Sequence, residues 1–82
     1  MAQKIYVKVA LEADETGLIT PLSLVFRGIR IPIDRVLERR QAHAVKTGGQ
    51  GMRYTVRIGS RQAYLFQDDA QRWFVEELDH VR

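Results

Sequence analysis

Along the first dozen residues apolar and polar side chains alternate. Ile5, Val7, Val9 and Leu11 share one face, and Lys4, Tyr6, Lys8, Ala10 and Glu12 share the other. A period of two over this length predicts a half-buried antiparallel strand. Glu12-Ala13-Asp14-Glu15-Thr16-Gly17 then supplies turn chemistry ending in glycine. A second strand is expected to start at Pro21, because proline cannot donate to a central ladder. Its inward positions are Leu22, Leu24 and Phe26. Arg27-Gly28 reads as a tight hairpin turn, after which Ile29, Ile31 and Ile33 alternate with Arg30 and Pro32.

From Asp34 two readings stand. Asp34 could cap a short helix within 34–46, with Ile33, Val36, Leu37, Ala44 and Val45 as its stripe. Alternatively the strand continues to Val45 after a bulge near Asp34, since inward parity changes between Ile33 and Val36. The strand is preferred, because Gly48-Gly49-Gln50-Gly51 and a further alternating run complete a long hairpin. In that run Met52, Tyr54, Val56 and Ile58 face inward and Arg53, Thr55 and Arg57 face outward. Gly59-Ser60 turns the chain into a strand over 61–66, Gln67 to Gln71 turns it again, and the last strand covers 73–78. Five or six short strands at such spacings predict one all-β domain over 1–82, a small, strongly bent, SH3-like antiparallel barrel. Its expected core is Ile5, Val7, Val9, Leu11, Leu24, Phe26, Val56, Ile58 and Val75, with Trp73 covering one end. Tyr6, opposite the first apolar stripe, is expected at the surface.

Composition narrows the class. With 82 residues, 45% hydrophobic and 28% charged, the chain is an ordinary soluble domain with one modest core. It contains no cysteine, which removes disulfides, thiolate metal sites and cysteine nucleophiles and points to a reducing cytoplasm. The N-terminus has no continuous apolar stretch of export-signal type, and nothing approaches the ~20 apolar residues of a membrane span. The net charge of +3 is unevenly spread. Residues 27–61 carry nine cations against two carboxylates, whereas residues 62–82 carry two against five. Ten of the thirteen basic residues are arginine, the side chain best suited to bidentate phosphate or carboxylate contacts.

Phe26-Arg27-Gly28, Val36-Leu37, Gly48-Gly49, Tyr54-x-Val56, Tyr64-x-Phe66 and Trp73-x-Val75 occur in that order over about 55 residues. In this the chain resembles a family of short uncharacterised bacterial proteins and domains, some associated with DNA-repair polymerase genes. The resemblance implies a bacterial, cytoplasmic protein with a leaning toward nucleic acid, and it lends no catalytic residue.

Catalytic chemistry finds few parts. Lys46-Thr47-Gly48-Gly49-Gln50-Gly51 lacks the spacing of a phosphate loop and precedes a strand rather than a helix. His43 and His80 have no cysteine to join them as metal ligands. Asp68-Asp69 sits where aspartate bonds its own turn backbone. Ser23 and Ser60 lack a nucleophile-elbow context. Trp73, Tyr54, Tyr64 and Phe66 are expected mainly in the core, with stacking of a base or a proline-rich ligand the alternative use. The expectation is therefore a binding module and not an enzyme, with no metal and no cofactor. One reading is weak, salt-dependent contact with nucleic-acid phosphates through Arg39, Arg40, Lys46, Arg53, Arg57 and Arg61. The other is a protein-interaction or assembly role, including weak homo-oligomerisation through an exposed strand edge.

Overall fold

In the computed structural model, residues 2–43 and 50–78 are described. They form seven strands: β1 (Ala2–Ala13), β2 (Ile19–Phe26), β3 (Ile29–Pro32), β4 (Arg35–His43), β5 (Gln50–Ile58), β6 (Arg61–Asp68) and β7 (Trp73–Leu78). The sheet order is β3-β2-β1-β7-β6-β5-β4, and every neighbouring pair is antiparallel. Strand β1 serves two partners in succession. Ala2–Val7 pair with β7 and Lys8–Ala13 pair with β2, so the sheet curls about β1 into a half-barrel.

The two sheet edges meet where β3 runs into β4. The Ile33 N–H donates to the Leu22 carbonyl of β2, and the Asp34 N–H donates to the Arg57 carbonyl of β5. The Asp34 carboxylate also accepts the Gly59 N–H at 2.6 Å. Consecutive residues thus bond β2, next to one edge of the sheet, and β5, next to the other. This step divides the apolar run that begins at Ile29, so there are seven strands where five or six were expected. Residues 35–43 are strand, not helix.

Two bulges set which side chains point inward. In β2, Ala10 faces Ser23 and Leu11 faces Pro21, leaving Leu22 as the extra residue. Pro21 is therefore buried inside the strand beside a bulge, a place that tolerates proline, and does not begin it. Leu22, expected inward with Leu24, is 44% exposed. In β4, Val36 faces Val56 and Glu38 faces Thr55, so the extra residue is Leu37, not one near Asp34. Gly51 stands at φ 154°, and a Cβ there would collide with the Gln67 carbonyl. The Arg27-Gly28 turn has both residues at positive φ (52° and 80°), as a two-residue type I′ hairpin requires.

The concave face holds the main core of Leu24, Tyr54, Val56, Leu65 and Trp73. Val7, Val9, Phe26, Ile58 and Val75 pack against it partly buried. Trp73 is 7% exposed, with its ring tilted against Tyr54 at 5.2 Å. Leu11, expected in this core, is 40% exposed. A second buried pair, Phe66 and Phe74, lies apart from this core. Their neighbours in sequence, Leu65 and Trp73, point into the concave core, so alternation places the two phenylalanines on the convex face.

Candidate functional site

Cross-strand register arranges the convex face in rows. One row runs Arg40, Arg53, Phe66, Phe74, Tyr6 across β4, β5, β6, β7 and β1. The next is Glu38, Thr55, Tyr64, and the one beyond is Arg35, Arg57, Gln62. Arg40 and Arg53 are thus directly opposed, as are Arg35 and Arg57. Glu38 is the carboxylate within these rows, and it is shared at long range by Arg40 (3.9 Å) and Arg53 (4.0 Å). The Arg40–Glu38 pair is exposed and weak, and Arg53, 23% exposed, meets Glu38 only at the limit of an ion pair.

The aromatic part of the face is continuous. Tyr64 meets Phe66 edge-on at 6.5 Å, Phe66 stacks on Phe74 at 5.2 Å, and Phe74 meets Tyr6 edge-on at 5.7 Å. The inner rings are buried, while Tyr6 and Tyr64 at the ends are 48% and 52% exposed. Cations cover the row. Arg53 lies 4.4 Å from the Tyr64 ring centre, Lys4 4.8 Å from that of Phe74, and Arg72 4.9 Å from that of Tyr6. Such contacts favour cations over the ring face. The Arg53 Nε is buried with no hydrogen-bond partner among the described residues, and the Tyr64 ring packs against that end of the side chain.

Arg72 is held by the β6–β7 turn. The Asp68 carboxylate accepts the Ala70 and Arg72 N–H groups at 3.0 and 2.9 Å and bonds the Arg72 guanidinium at 3.1 Å. The Arg72 N–H first, then the guanidinium charge and the Ala70 N–H, hold the Asp68 carboxyl below its ordinary pKa, against some desolvation. In the β1–β2 turn Asp14 accepts the Thr16 hydroxyl and the N–H groups of Thr16 and Leu18, with the same effect.

The six basic residues singled out from sequence do not form one patch. Arg40, Arg53 and Arg57 share the convex face, where Arg35 joins them. Arg39 lies opposite Tyr54 on the concave side, because the Leu37 bulge returns it to the face of Val36. Its Nε donates to the Ile19 carbonyl at 3.0 Å and its Nη2 to the Thr20 hydroxyl at 2.9 Å. It thus clasps edge strand β4 to β2. Burial pushes the Tyr54 phenol above its ordinary pKa, with Arg39 pulling the other way. Arg61 pairs in register with Ile58, away from the arginine rows. Lys46 and His80 lie outside the described residues. Lys4, Arg35, Tyr6 and Arg72 complete the site with no sequence signal that assigns them to it, and Tyr64, expected mainly in the core with stacking as its alternative use, is half-exposed on this face. The available signal was the unbroken apolar stretch Ala63-Tyr64-Leu65-Phe66, which marks a strand buried on both faces.

At the end of the concave face near the β2–β3 and β5–β6 turns, Leu24, Phe26, Ile31, Val56, Ile58 and Val75 line an apolar hollow of about 180 Å³. Among the described residues no cluster of three His, Asp or Glu side chains converges as metal donors. No helix there is long and apolar enough to cross a membrane. No protein family, curated protein or solved structure matches this chain.

Proposed function

We propose that this protein is a nucleic-acid-binding module that contacts phosphates through the convex face of β4 and β5. The observation that carries the reading is the two pairs of opposed arginines, Arg40 with Arg53 and Arg35 with Arg57. Like charges directly opposite on a sheet destabilise it, and a row of phosphates relieves that repulsion while releasing its own counterions. Guanidinium groups also suit phosphate better than ammonium does. Contacts of this kind position a backbone and read no base, so binding is non-specific and weakens with salt. The absence of cysteine from the sequence fits a cytoplasmic site of action. The curled sheet, with β1 shared between two partners, is in keeping with an SH3-like barrel.

Self-association is the less favoured alternative. β4 is an edge strand, but it carries Arg35, Glu38, Arg39 and Arg40, and charges along an edge oppose pairing with another chain. Filter binding at low salt tests the proposal. Retention of labelled single-stranded DNA or RNA is expected, reduced in R40A and R57A, and no retention of either polymer refutes it.

A further inference from the structure

We infer that Tyr6 and Tyr64 each seat an unpaired base, which makes the ligand of this face single-stranded. The inference rests on the phosphate-binding reading above and adds the ligand class to it. Both tyrosines are half-exposed ends of a row whose inner members, Phe66 and Phe74, are buried and stacked. The rings therefore stand on a fixed floor and need little ordering when a base arrives. Each also carries a guanidinium, Arg53 on Tyr64 and Arg72 on Tyr6. Bases stack on aromatic rings and on arginine planes alike, so each end offers both kinds of surface.

Seating on the rings disfavours the duplex. Tyr6 lies on β1 and Tyr64 on β6, with β7 between them, and Tyr64 is two residues along β6 from Phe66, which shares the cross-strand row of Tyr6. Two strand spacings of about 10 Å and an offset of about 7 Å put the two tyrosines roughly 12 Å apart. A base seated on either ring must leave its own stack, which a single strand allows and paired DNA resists. Beyond Tyr64 the same face continues into Arg53, Arg40, Arg57 and Arg35, so a strand crossing the β-strands sets bases on β1 and β6 and phosphates on β5 and β4.

Fluorescence anisotropy separates the outcomes, using three probes of equal length: an oligothymidylate of about 12 nucleotides, within the range of small β-barrel binders, its abasic backbone analogue, and a duplex. The oligothymidylate is expected to bind about tenfold or more tighter than the other two. Y64A and Y6A should each lose about tenfold for oligothymidylate and several-fold less for the abasic probe, and Y64F should behave as wild type. Equal affinity for all three probes, with Y64A without effect, overturns the stacking role and leaves the phosphate reading standing. Failure to bind any probe overturns both.

Discussion

Arg53 stands where three influences meet: the opposed Arg40, the Tyr64 ring, and a buried Nε with no partner among the described residues. A residue so placed contributes little to folding, and the same holds for Arg57 opposite Arg35. Replacing Arg57 by threonine should raise stability by about 0.5 kcal/mol, through relief of like-charge repulsion, while weakening nucleic-acid binding. Thermal melts beside binding curves check the opposite signs. The core behaves otherwise. Leu65 is fully buried, so Leu65→Ala should cost about 3 kcal/mol. Phe26→Ala should cost less, because Phe26 borders the open hollow and not a filled interior; denaturant midpoints of the two variants give the comparison. Asp14 and Asp68 have folded pKa values below their unfolded ones. Their contribution is present above the unfolded value of about 3.9 and is lost as pH falls through the folded value. Between pH 7 and acid, an Asp14→Asn, Asp68→Asn double variant should therefore lose less stability than wild type, as acid-dependent melts will show.

At the scale of strands, the half-barrel depends on how its edges are joined. One join is the main-chain step at Ile33 and Asp34, and the other is the Arg39 clasp onto Ile19 and Thr20. Arg39→Met should cost about 2 kcal/mol, the scale of hydrogen bonds to a charged group, and should speed amide exchange in β4. Because Arg39 faces the concave side, the folded variant should bind nucleic acid as wild type does, unlike Arg40→Ala. Adjacent arginines thus take opposite faces, a division only partly legible in the chain. Alternation shows that Arg39 and Arg40 oppose each other. Which of them turns inward is decided by the Leu37 bulge, and that depends on pairing with β5 and not on local residue type. Leu22 is misplaced for the same reason, sharing parity with Leu24 but sitting on the β2 bulge. The hairpin turns at Arg27-Gly28 and Gly59-Ser60 were readable, since positive φ and strand periodicity are local properties. The aromatic row was not, because Tyr64-Leu65-Phe66 and Trp73-Phe74-Val75 are apolar without a break and hide which face each ring takes.

The whole molecule is a curled sheet with two unlike faces. The concave face stabilises it through Leu24, Tyr54, Val56, Leu65 and Trp73. The convex face carries buried rings, half-exposed tyrosines and the opposed arginines of β4 and β5. Acidic residues of the last segment take part as well, since Asp68 holds Arg72 beside Tyr6. The most direct test of this division is the salt dependence of binding. Anisotropy titrations of a labelled oligothymidylate over a series of KCl concentrations should give log K falling linearly with log salt. For contacts from Arg35, Arg40, Arg53 and Arg57 the slope should be about −2 to −3, at roughly −0.7 per phosphate on a single strand, and shallower in an Arg40→Ala, Arg57→Ala double variant. An affinity indifferent to salt, or a slope unchanged by removing those two arginines, would contradict a phosphate-binding convex face.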